Sequence, residues 1–121
     1  MNISTIFKPK SIFYKANYKR DKEKARELIK ERLLYFNNFY KLTYGRVSIK
    51  NVKSRWGSCS RRGNLNFNYK LLYLPARLVD YVVVHELCHL QEFNHSKNFW
   101  DLVARTFPDY KNLRQQLREI R

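Results

Sequence analysis

The run His85-Glu86-Leu87-Cys88-His89, with a further histidine at His95, gathers all 3 histidines of the chain into one short stretch. In a helix, residues four apart share a face, so His85 and His89 can bind one metal ion. Glu86 then lies beside the metal's open coordination position. This is the HExxH arrangement, in which two imidazoles hold Zn2+ and a carboxylate takes a proton from the activated water. The chemistry of such a set is hydrolysis.

A third ligand has two sources. A helix continuing through Gln91, Glu92 and Phe93 could end at Asn94, a residue that tolerates the left-handed conformation. His95 would then fold back toward the metal, and Ser96 would cap the next helix. Glu92 is the rival, one turn beyond His89 on the same face. A straight helix carries that side chain past the metal, which favours His95. Asp101 is a candidate for orienting a ligand histidine, and Arg55, Tyr69 and Tyr110 are candidates for stabilising an oxyanion.

These residues need elements to hold them. From Tyr81 to Leu90 the residues around the histidines are apolar or uncharged, so the helix is expected to be buried nearly all round. A plain core helix with hydrogen-bonded histidines would not need two of them enclosing a glutamate. Pro75 suits the start of this helix, expected over residues 75–93. Upstream, Ala25, Leu28, Ile29, Leu33 and Phe36 recur at helical spacing within residues 18–40, after an extended arm over 1–17. Residues 45–74 carry β signals: Val47, Ile49 and Val52 in one strand, a Gly63-Asn64 turn, and Leu65 to Leu72 as its partner. Residues 96–121 read as C-terminal helices interrupted by Pro108.

The stretches Arg55-Trp56-Gly57-Ser58-Cys59-Ser60, Gly63-Asn64-Leu65-Asn66-Phe67-Asn68, Tyr81 to Leu90, and Asn94-His95-Ser96-Lys97-Asn98-Phe99-Trp100 resemble the YgjP-like metallopeptidase family. That family is related to the SprT-like and spartan proteases. The similarity spans roughly residues 47–110. It implies a zincin fold, one zinc at His85, His89 and His95, and Glu86 as general base. Metzincins share the histidine offset, but their glycine position is Glu92 here and Met1 is the only methionine, so that membership is excluded. The expected class is α+β: a small zincin-like domain with an N-terminal helix, a short antiparallel sheet and the HExxH helix.

In zincins an edge strand above the site helix pairs with extended substrate. Strand 65–69, or its neighbour 47–54, could do this, with Leu65, Phe67 and Tyr69 facing the core and Asn66 and Asn68 outward. Ordinary strands of a small sheet are the alternative. Trp56 is expected beside that groove in a structural role, at a turn that needs Gly57.

With 121 residues, 44% of them hydrophobic, the chain suits one domain with a single core. Its 2 cysteines make no disulfide framework. Cys88 is expected in the core, and Cys59 could approach the site. No apolar run suits a signal peptide or a membrane span, so a cytoplasmic location is the default expectation. The formal net charge is +15, and residues 1–70 hold eighteen Lys/Arg against four Asp/Glu. Such a surface attracts polyanions, and Phe13, Tyr14, Tyr18, Tyr35, Phe36, Tyr40 and Tyr44 could stack on exposed bases. The leading expectation is a zinc metallopeptidase acting on protein or peptide, with nucleic acid as a further partner through the basic half. The alternative is a non-catalytic nucleic-acid module with structural zinc, which would need a fourth ligand from Cys59 or Cys88 and leave Glu86 without a job.

Overall fold

The computed structural model describes residues 12–120. The residues before these belong to the expected N-terminal arm and lie outside the described part. Among the described residues there are four α-helices and a three-stranded sheet: α1 (Tyr18–Tyr40), β1 (Val47–Lys50), β2 (Gly57–Cys59), β3 (Leu65–Asn68), α2 (Ala76–Cys88), α3 (Lys97–Ala104) and α4 (Tyr110–Ile120).

Helix α1 begins where the Asn17 side chain accepts a hydrogen bond from the Arg20 amide at 2.9 Å. It ends at Lys41, whose φ of 54° is left-handed and whose amide donates to the Asn37 carbonyl. Asp21, Ala25, Ile29, Leu33 and Phe36 form its buried stripe. From the flank of that stripe Arg32 reaches Asp80 on α2 in a two-point ion pair of 2.7 and 3.1 Å. The long N-terminal helix is thereby clamped to the helix that carries the histidines.

The sheet is mixed, not antiparallel. Strand order is β1-β3-β2, with β1 parallel to β3 and β2 antiparallel to it. The Gly63-Asn64 turn exists, with Gly63 at φ 84°, but the strand it turns from is β2 rather than β1. The segment Trp56 to Cys59 lacks the β-branched residues that mark a strand, so spacing assigns its place to the stronger Val47/Ile49 pattern. The second expected strand also stops early. Tyr69–Tyr73 is a 3-10 helix, capped by the Asn68 side chain, which accepts from the Lys70 amide at 2.9 Å.

Helix α2 is buried on nearly every side: Val83, Val84, Leu87 and Cys88 have no exposure, and Glu86 has 5%. Pro75 sits just before its first residue rather than within it. The helix ends at Cys88 instead of continuing to 93. The amides of Gln91 and Glu92 bond back to the Cys88 carbonyl in a turn. Asn94 is not left-handed, since Lys41 is the only described non-glycine residue with positive φ. Ser96 does cap α3, accepting from the Phe99 amide.

Candidate active site

The Nε2 atoms of His85, His89 and His95 converge. They are 3.2 Å apart for His85 and His89, 3.0 Å for His89 and His95, and 3.2 Å for His85 and His95. Helix α2 supplies His85 and, as the residue that caps its C-terminus, His89 four positions on, and the early end of that helix brings the third back onto them. Packing fixes the rings. His89 stacks on Phe99 at 4.3 Å, and His95 stacks on Trp100 at 5.6 Å. Both aromatics come from α3, so the capped start of that helix sets the position of His95.

The opposite ring nitrogens are engaged. Nδ1 of His89 donates to the Glu92 carbonyl at 3.1 Å, which leaves its Nε2 as a lone pair. Nδ1 of His85 lies 3.3 Å from the Tyr81 hydroxyl. Three nitrogen lone pairs aimed at one point repel unless a cation sits between them. A tetrahedral zinc with N ligands at about 2.0–2.1 Å sets those nitrogens about 3.3 Å apart, close to the spacing found. The donor set therefore fits a divalent transition metal. Desolvation also disfavours the charged form of the imidazoles. It pushes His85 down to about 3, with His89, His95 and Arg114 adding to the effect, and it lowers His89 and His95 as well.

Glu86 faces β2. A Cβ on Gly57 would lie 3.0 Å from its Cγ and Oε2, so any larger residue there makes Glu86 give way by a few tenths of an ångström. Burial pushes the Glu86 carboxyl up to about 8, opposed by the charge of Arg55. On this side the site opens into a cavity of about 240 Å³ lined by His85, Glu86, Trp56 and arginines from two elements.

The other sequence-derived candidates divide. Glu92 contributes its backbone carbonyl rather than its carboxylate, and the histidine cluster does not include it. Asp101 pairs with Lys97 at 2.8 Å and does not orient a histidine. Tyr81 and the Glu92 carbonyl take that role. Tyr81 was visible as the residue four before His85. Trp56 lines the cavity, and its buried indole Nε1 has no partner among the described residues. Asn66 is half-buried, donating to the Ser58 hydroxyl at 3.2 Å.

Asn68 points inward rather than outward, donating to the carbonyls of Val52 at 2.6 Å and Arg55 at 3.1 Å. Strand β3 is also not an edge: both of its sides are paired, and β1 and β2 are the edges. Among the oxyanion candidates, Arg55 lines the cavity and Tyr110 stacks on Trp100 at 4.7 Å. Tyr69 is buried against Tyr18. Cys88 is in the core, and neither cysteine joins the histidine cluster.

This is the fold of small metallopeptidases. The structure matches the metallopeptidase zymogen of Pyrococcus abyssi abylysin with a TM-score of 0.67 and 23% identity, covering 74% of this chain and 90% of that one. It matches the metallopeptidase zymogen of Methanocaldococcus jannaschii jannalysin with a TM-score of 0.60 and 21% identity, covering 78% and 94%. No curated protein matches significantly in sequence. The family model for the YgjP-like metallopeptidase domain matches residues 14–120, and the chain belongs to that family. It is a metallopeptidase. None of its described helices is long and apolar enough to cross a membrane.

Proposed function

We propose that the chain is a zinc-dependent peptidase in which His85, His89 and His95 hold a single Zn2+ and Glu86 is the general base. The observation that carries this is the convergence of three Nε2 atoms within 3.2 Å of one another beside a buried glutamate. Zinc, when bound, supplies Lewis acidity to water and to the scissile carbonyl. Glu86 takes the proton of the attacking water on its carboxylate and delivers it to the departing amine. Its burial keeps bulk water from competing for that proton. Tyr81 and the Glu92 carbonyl hold His85 and His89 in the orientation the metal needs. The substrate backbone has edge strand β2 available beside Glu86, since β3 is paired on both sides.

A structural-zinc module would close its metal with a cysteine, and the cluster contains none. Action near nucleic acid rests on the charge of residues 1–70. Of the seven aromatics that could stack on bases, Phe13, Tyr18, Phe36, Tyr40 and Tyr44 pack in or against the core, leaving Tyr14 and Tyr35 exposed. The test is cleavage of an unfolded protein by chelator-stripped and zinc-restored enzyme, with and without single-stranded DNA. Cleavage that disappears with the metal and returns with zinc is expected. Cleavage indifferent to metal would overturn the reading, and indifference to DNA would remove nucleic acid from it.

A further inference from the structure

The cavity beside Glu86 carries more positive charge than catalysis by a glutamate and three neutral imidazoles requires. Arg114 and Arg118 enter it from α4 and Arg55 from the loop before β2. Arg114 and Arg118 are four residues apart on one helix face, a spacing at which like charges oppose each other. Among the described residues, none of the three forms an ion pair with a carboxylate. Asp101, Asp109 and Asp80 are taken by Lys97, Arg77 and Arg32. Glu119, the acid nearest in sequence, accepts from Gln115 at 3.2 Å. Among the described residues, the only acid lining the cavity is Glu86 itself.

The placement of Arg114 is built rather than incidental. Its guanidinium lies 4.6 Å over the Trp100 ring, and Tyr110 stacks on the same ring at 4.7 Å. Trp100 in turn stacks on His95. One aromatic from α3 thus holds a metal-site histidine on one side and a cation of the cavity on another. Leu117, Tyr81 and Val82 give the cavity an apolar lining that strengthens any charge pairing inside it.

We propose that Arg114 and Arg118, with Arg55 opposite, form a carboxylate-binding subsite beside Glu86 that selects peptides bearing an acidic group next to the scissile bond. Guanidinium groups present paired N–H donors that match a carboxylate in two-point contact. A cavity of about 240 Å³ accommodates one side chain or one chain terminus. The carboxylate comes either from an Asp or Glu side chain or from the substrate's own C-terminus. The subsite presupposes the peptidase reading above.

The experiment pairs binding with turnover. Labelled peptides matched except for Asp/Glu against Asn/Gln, each as free acid and as C-terminal amide, are titrated against zinc-loaded Glu86→Gln protein by fluorescence anisotropy. The same peptides are given to the zinc-loaded wild-type enzyme. Tighter binding of acidic peptides, by about tenfold for a charge-assisted pair, is expected. The preference is expected to collapse in Glu86→Gln carrying Arg114→Ala, and to turn toward Lys-containing peptides with Arg118→Glu. Because Arg118 is exposed, circular dichroism of the second variant separates lost selectivity from lost fold. Loss of the effect on amidation identifies the C-terminal carboxylate, and its persistence identifies the side chain. Cleavage and binding that ignore peptide charge would overturn the subsite while leaving the peptidase intact. Charge-selective binding with no cleavage of any peptide would leave the arginines as a carboxylate-binding cluster and overturn the peptidase reading, and with it their role in selecting substrate.

Discussion

Asp21 and Glu86 are carboxylates with almost no exposure, 4% and 5%, but Asp21 lies near the surface under the exposed Arg20 side chain whereas Glu86 lies deep in the core, and the protein treats them in opposite ways. Asp21 accepts from the Asn17 amide at 2.9 Å, from Arg20 Nε at 2.8 Å and from the Tyr73 hydroxyl. Those bonds, Arg20 first and Tyr73 next, hold its carboxyl well below the usual range. It anchors the start of α1 to the 3-10 helix. Among the described residues Glu86 has no such cage. It faces the backbone of β2 at Gly57, and burial pushes it up to about 8 against the opposing charge of Arg55. A buried acid with its partners supplied is structure. A buried acid left short of them, beside three convergent imidazoles, is the arrangement that the proposed general base calls for.

The largest expected effect on Glu86 comes from Gly57. In Gly57→Ala the new methyl needs the space of Glu86 Cγ and Oε2, each 3.0 Å from its ideal position, and the Asn66 carbonyl at 3.2 Å bars a backbone retreat. Peptidase activity is expected to fall, by less than the about 10²-fold that a displacement of about 1 Å in a reacting group costs, since Glu86 has to give by a few tenths of an ångström. Zinc content should remain that of wild type, measured on the same samples.

Asp21→Asn gives the complementary result. It is expected to lower the melting temperature at neutral pH without changing turnover per folded molecule. Because the folded-state pKa is depressed, this stabilisation is present above the unfolded value of about 3.9 and is lost as pH falls below it. The melting curves of variant and wild type should therefore draw together in acid. A gap that persists at low pH would mean that Asp21 acts by packing alone.

Glu86 carries the opposite sign in the metal-free protein. An acid raised from 4.5 to about 8 loses its proton in the unfolded chain first, so stability should decline as pH rises through that interval. Glu86→Gln should flatten this part of the profile, read by thermal melts of the chelated protein. A smaller effect is expected at Asn68. Removing its bonds to the Val52 and Arg55 carbonyls in Asn68→Ala should cost about 1–3 kcal/mol by denaturant titration.

Much of the site was legible because it is local. His85, Glu86 and His89 follow from helical periodicity, and His95 from a turn that Ser96 closes. The stripe of α1 was equally plain, since Ala25, Ile29, Leu33 and Phe36 repeat on one face. What escaped was non-local. The parallel pairing of Val47 with Leu65 depends on the short Gly57–Cys59 strand taking the other side of β3, which no side-chain pattern announces. Asn68 alternates outward by strand periodicity, yet it turns inward because the loop at Val52 and Arg55 needs its donors. The end of α2 at Cys88 rather than 93 is set by tertiary packing of α3 against the histidines. Arg114 carried no motif at all. Only the fold brings α4 to the mouth of the site.

The most direct test of the account is the rate of peptide cleavage by zinc-loaded Glu86→Gln and wild type, with metal content measured in the same samples. Equal zinc in both, and a loss of roughly 10²–10⁴-fold in rate for the variant, is the expected result. Undiminished cleavage by the variant would contradict the assignment of Glu86 as the base.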